Sequence, residues 1–151
     1  GPISVLHYNA YTPLAGDLVT APAEELRGAI DVAVTGMVAG VQESLEDLKQ
    51  QKGGLLVTGG GFAYYDPEVD SMAVGFNAMG LAISKAAQHK AVGVLAKRLG
   101  KEGIYVGEVV VLGMVKGTAF DSGNATLEAS EIADRFWELY SKRSETSVQF
   151  R

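Results

Sequence analysis

The sequence predicts an α/β protein: a three-layer α/β/α arrangement with a parallel sheet covered by helices on both faces, in one domain spanning residues 1–151. Two observations carry this. Short, near-continuous apolar runs (ISVLHYNA, GLLVTGGGF, GIYVGEVVVLG) have the character of buried strands, and long helical stretches rich in small residues separate them. The resulting order is β-α-β-α-β-α-β.

Ile3–Ala10 is the first predicted strand, buried and β-rich. The helix after it runs to about Gln51. Thr20 is its expected cap, Pro22 fits its first turn, and Glu24 and Glu25 complement its positive end. Lys49 and Lys52 lie near its tail, where Gly53 and Gly54 stop it. Gly28, Ala29, Ala33, Gly36 and Gly40 make its middle small-sided. Since each helical glycine costs about 1 kcal/mol against alanine, close packing against a sheet or second helix is expected there. Gly54–Phe62 is the second strand, entering a glycine turn, and one long helix is expected from Ser71 to Leu99. Gly103–Gly113 is the third strand. Thr126–Arg143 is an amphipathic helix turning Ile132, Phe136, Trp137, Leu139 and Tyr140 to the core, and TSVQF forms a last short strand.

Composition narrows the function. With 47% hydrophobic and 21% charged residues the chain reads as globular, not disordered. A net charge of −5 and no basic run beyond Lys142–Arg143 argue against a nucleic-acid surface. The absence of cysteine excludes disulfides, zinc–thiolate sites and thiol nucleophiles. Ala29–Val41, the longest apolar stretch, contains Asp31 and is too short to cross a bilayer, so no membrane association is expected. GPISVLHYN lacks the basic start of a signal peptide, and the expected location is the cytoplasm.

Few motifs carry chemistry. Thr58–Gly61 (TGGG) is neither a G-x-G-x-x-G turn nor a Walker A loop; it reads as a tight turn needing unusual φ. His7 and His89 are the only histidines, so no metal site built on several histidines is expected, and each reads as a packing or surface residue. No G-x-S-x-G elbow is present. Asp66, Glu68 and Asp70 read as solvated loop charges. Tyr64 and Tyr65 follow the carboxyl end of a strand, the edge at which α/β sheets bind ligands.

Four segments together resemble the second half of a short-chain dehydrogenase/reductase, a Rossmann-like family. GPISVLHYNAY resembles its GxIDVLVNNAG strand, with Asn9–Ala10 on the Asn-Ala pair, and GGLLVTGGG resembles the strand ending in the catalytic serine. SKAAQHKAVGVLAKRLGKEGI resembles the active-site helix, and VVVLGMVKGT the Pro-Gly-x-x-x-Thr loop, with Leu112 for the proline and Gly113 retained. The resemblance implies NAD or NADP as cofactor, with Asn9, Ala10, Lys85, Gly113 and Thr118 on its nicotinamide side. It also implies a tyrosine that exchanges the hydroxyl proton, a lysine that lowers its pKa, a serine on the substrate carbonyl, and an asparagine positioning a relay water.

Carried over residue by residue, the asparagine falls on Ala33, the serine on Gly60 and the tyrosine on Leu81, leaving Lys85 alone. Ordinary family catalysis cannot run on these side chains. Tyr64 or Tyr65 would replace the lost acid only if their loop folds over Lys85. The glycine-rich turn for the pyrophosphate is not in this sequence, so the chain reads as lacking the N-terminal nucleotide-binding half, either a fragment or a half-domain. The strand Ile3–Ala10 would then stand at an edge, to be covered by a partner or by a missing N-terminal segment. The resemblance further implies a homodimer or homotetramer through helices 22–51 and 71–99. A non-catalytic scaffold and a small-molecule pocket without redox chemistry remain alternatives.

Overall fold

The computed structural model describes all residues, Gly1–Arg151. Four parallel strands form one sheet in sequence order: β1 (Val5–Tyr8), β2 (Gly54–Gly60), β3 (Tyr105–Val111) and β4 (Ser147–Phe150). Register pairs Val5 with Gly54, Gly54 with Tyr105, and Glu108 with Ser147. β1 lies at the edge with alternate residues exposed, so it is half-buried instead of the buried strand expected. Only β2 protects one of its sides.

The first crossover is a continuous helical rod. It consists of α1 (Ala23–Ile30), a π-helical turn (Asp31–Thr35) and α2 (Gly36–Gln50). Thr20 does not cap it, because Asp17 already organises the preceding turn through Val19 N–H and Ala21 N–H. Pro22 occupies the cap, and Glu25 instead reaches back to the amide of Ala15 at 2.9 Å. At the other end Lys52 takes the left-handed conformation (φ 48°), one residue before the glycines expected to stop the helix.

The expected single helix over Ser71–Leu99 is two helices, α3 (Pro67–Gly75) and α4 (Met79–Gly100). Asn77 breaks them with φ 53°, and the first turn of α4 docks against the backbone of Ala15 and Gly16. A side chain at Gly80 would lie 2.3 Å from the Leu14 carbonyl, so only glycine permits that docking. Asp66 is no idle loop charge: its Oδ1 accepts from the amides of Glu68 and Val69, capping α3 with Pro67 behind it.

Two apolar layers hold the sheet. Met37, Val41, Leu48, Leu55, Val57, Val92 and Val106 pack α2 and α4 on one face. On the other, Leu56, Val109 and Val148 meet Ile132, Phe136 and Leu139 of α5 (Ala129–Lys142). Trp137, expected in this core, is 70% exposed on the flank of α5. The reason is helical phase: one residue past Phe136 turns about 100° away from the sheet.

Candidate functional site

Lys85 projects from the second turn of α4 toward the carboxyl end of β2. It is 8% exposed, and its ammonium donates to the Thr58 carbonyl (2.9 Å) and to Oε1 of Gln88 (3.0 Å). Burial brings its pKa from the ordinary 10.5 down to about 8, against an opposing pull from the carboxylate of Glu108.

The π-helical turn supplies the next link. A π turn widens the hydrogen-bond ladder and frees carbonyls from ordinary helical pairing. Two are taken up by side chains: Val32 O accepts from the Tyr8 hydroxyl, and Ala33 O accepts from Gln88 Nε2 at 2.8 Å. A side chain at Gly36 would lie 2.5 Å from that hydroxyl, so the glycine makes room for Tyr8. A continuous polar line therefore runs from Thr58 through Lys85 and Gln88 to Ala33. Sequence reasoning placed Ala33 and Lys85 but missed Gln88, whose signal was a polar residue three positions after the lysine on an otherwise packed face.

The glycines of TGGG do not adopt unusual φ. Gly59 and Gly60 continue β2, and Gly60 is extended at φ −142°, ψ 148°. Their lack of side chains matters for space. A Cβ on Gly59 would meet Oε1 of Glu108 at 2.5 Å, and one on Gly61 would meet Leu112 at 2.7 Å. A Cβ on Gly60 would meet only Cγ of Lys85, at 3.9 Å. Position 60 is thus open space beside the aliphatic stem of Lys85.

Glu108, also missed, is 1% exposed in the middle of β3. Its Oε2 accepts from Nδ1 of His89 (2.7 Å) and from the Ser147 hydroxyl (2.8 Å). His89 thus binds a buried carboxylate, whereas His7 packs on Phe136 and contacts Thr58 Oγ1. The remaining predicted residues scatter. The Tyr64 ring meets His89 edge-on at 5.5 Å and its hydroxyl accepts from Gln149, while Tyr65 is fully exposed; neither hydroxyl contacts Lys85. Asn9 and Ala10 are exposed just beyond β1. Thr118 is exposed and donates its hydroxyl to Val115 O (2.7 Å), while Gly113 lies close to Leu127.

No protein-family model and no curated protein matches the sequence. Solved structures do match its fold. The acetoin dehydrogenase YohF from Salmonella typhimurium superposes with a TM-score of 0.78 at 16% identity, over 98% of this chain and 63% of that one. A short-chain dehydrogenase/reductase-family oxidoreductase from Brucella ovis, in complex with a partially ordered NAD, gives 0.75 at 18% identity, over 99% and 66%. The short-chain dehydrogenase from Sphingobium yanoikuyae in complex with NADPH gives 0.74 at 19%, over 97% and 57%.

This is the short-chain dehydrogenase/reductase fold. The chain spans little more than half to about two thirds of the length of the structures it matches. Within the short-chain dehydrogenase/reductase frame, a dinucleotide fits these residues only in part. Lys85 and Thr118, which the resemblance puts on the nicotinamide side, both donate to protein acceptors here. No helix is long and apolar enough to cross a membrane.

Proposed function

We propose that this chain is the catalytic-side portion of an atypical short-chain dehydrogenase/reductase, an NAD(P)-type oxidoreductase by descent whose ordinary chemistry is disabled. The observation that supports the reading is the buried setting of Lys85. Its Nζ is fixed by Thr58 O and Gln88, Gly60 leaves the serine position vacant, and Leu81 offers no proton. The resemblance assigns an asparagine-held water to the relay; here Gln88 spans directly from Lys85 to the Ala33 carbonyl. The lysine is held, and nothing beside it exchanges a hydroxyl proton.

Calorimetric titration of the chain with NADH and NADPH tests this reading. With a nicotinamide-side contact only, the expected dissociation constant is millimolar or weaker, and Lys85→Ala weakens whatever binding remains. Micromolar binding, or carbonyl reduction by the unaltered chain, contradicts it.

A second reading, a scaffold or assembly module, is favoured by a specific surface. An apolar groove of about 310 Å³ opens between β1 and α5, lined by Val5, His7, Leu56, Phe136 and Trp137. It adjoins the unpaired side of β1, and further chain of the kind the matched structures possess is the proposed cover. Pairing of copies is proposed through Ala23–Gln50 and Met79–Gly100, where Ile83 and Val94 stand exposed on α4.

A further inference from the structure

We infer that Tyr11 and Phe120 form an aromatic latch that holds residues 112–126 as a lid at the carboxyl end of β2. Their ring centroids lie 5.5 Å apart, with the planes inclined by 35°. Tyr11 follows β1, which ends at Tyr8, and Phe120 follows β3, which ends at Val111. β2 lies between those two strands, so contact between the rings bridges the end of the strand in the middle. Register puts Gly60 in this gap: Tyr8 pairs with Val57 on one side, and Gly60 with Val111 on the other. The Phe62–Phe76 pair, by contrast, stays within the single connection between β2 and α4.

The segment after β3 is built as a unit of its own. Asp121 accepts from the amides of Gly117 (2.9 Å), Gly123 (2.8 Å) and Ala125 (3.3 Å), and Lys116 pairs with Glu128. The Lys116 amide donates to Leu127 O at 2.9 Å, and the Leu127 amide to Met114 O at 3.2 Å. Every hydrogen bond made by residues 113–126 ends within residues 113–128. None joins the segment to the chain after β1, where the aromatic stack makes the contact. Gly113 stands where the segment leaves β3, and Gly123 (φ 94°) before it enters α5. Loop positions of this kind absorb the backbone rotation that a hinged lid needs.

The two rings keep 43% and 47% exposure while stacked, and separating them would return the covered faces to water. An aromatic pair of this geometry shifts an open–closed equilibrium by about two- to tenfold. That factor favours the closed lid and is small enough for a ligand at the strand ends to overcome. The latch governs access to the strand ends whatever chemistry they carry, so it stands or falls separately from the oxidoreductase reading.

The chain has no cysteine, so Gly60→Cys places a single thiol at the carboxyl end of β2, where the Cβ position is open. Its rate of reaction with dithiobis(nitrobenzoate) is compared with that of the same thiol combined with Tyr11→Ala or with Phe120→Ala. Each alanine is expected to raise the rate by about two- to tenfold, and Phe120→Tyr, which keeps the ring, to leave it unchanged. Ser44→Cys, buried on α2, is the control thiol, and its rate is expected to be the same with and without either alanine. No acceleration at position 60 overturns the inference. Equal acceleration at position 44 overturns it too, because the pair would then support the whole fold and not the lid.

Discussion

Gly59 and Gly60 are adjacent on β2 and meet opposite steric conditions. Gly59 has the Glu108 carboxylate against it, so Gly59→Ala should cost about 1–3 kcal/mol as the pinned side chain is displaced. Gly60→Ser should fold with stability within about 1 kcal/mol of the parent, since its backbone is ordinary extended strand and the space is open. Chemical denaturation of both variants checks the pair. Lys85 supplies a third prediction. Its folded pKa is depressed, so between about 8 and the ordinary 10.5 the unfolded chain holds the proton that the folded chain has released. Stability attributable to this group therefore rises with pH across that window and is flat below it. Lys85→Met should lack that rise, read as the difference between the two denaturation profiles. Lys85 was legible in the sequence through the SKAA turn. Glu108 was not, because a glutamate inside an apolar strand reveals nothing of the histidine and serine that solvate it from α4 and β4.

At the scale of elements, the strands were legible because parallel strands are continuous apolar runs, and all four form within the predicted segments. The helices were legible in existence but not in breaks. Ser71–Leu99 has no proline to divide it, and the break at Asn77 follows from α4 docking on Ala15 and Gly16, a contact that local sequence does not encode. The π turn was hidden for the same reason: its widened ladder is stabilised by Tyr8 and Gln88, which are distant in sequence. Replacing Gln88 with leucine leaves the Ala33 carbonyl and one Lys85 N–H unpaired, at a cost of about 1–3 kcal/mol. Amide exchange should show it as accelerated exchange across Asp31–Thr35 and the first turns of α4. Unchanged protection there would mean that the turn does not depend on Gln88.

For the whole molecule, the fold is that of the short-chain dehydrogenase/reductases, and the proposed reading puts Leu81 and Gly60 at the acid and serine positions beside Lys85. The open side of β1 and the apolar groove beside α5 are the corresponding exposed surfaces. If they are covered by further chain or by another subunit, the isolated chain should self-associate with rising concentration, and Val5→Lys should suppress it in sedimentation velocity. The central claim is that Lys85 is a buried amine held by the Thr58 carbonyl and Gln88. Titration of the chain labelled with ¹³C at lysine Cε, followed by NMR, measures this directly, with Lys85 assigned by its loss in Lys85→Arg. A midpoint near 8 for Lys85, with Lys49 and Lys116 titrating above the ordinary 10.5, is the predicted result. A Lys85 midpoint indistinguishable from theirs would contradict the account.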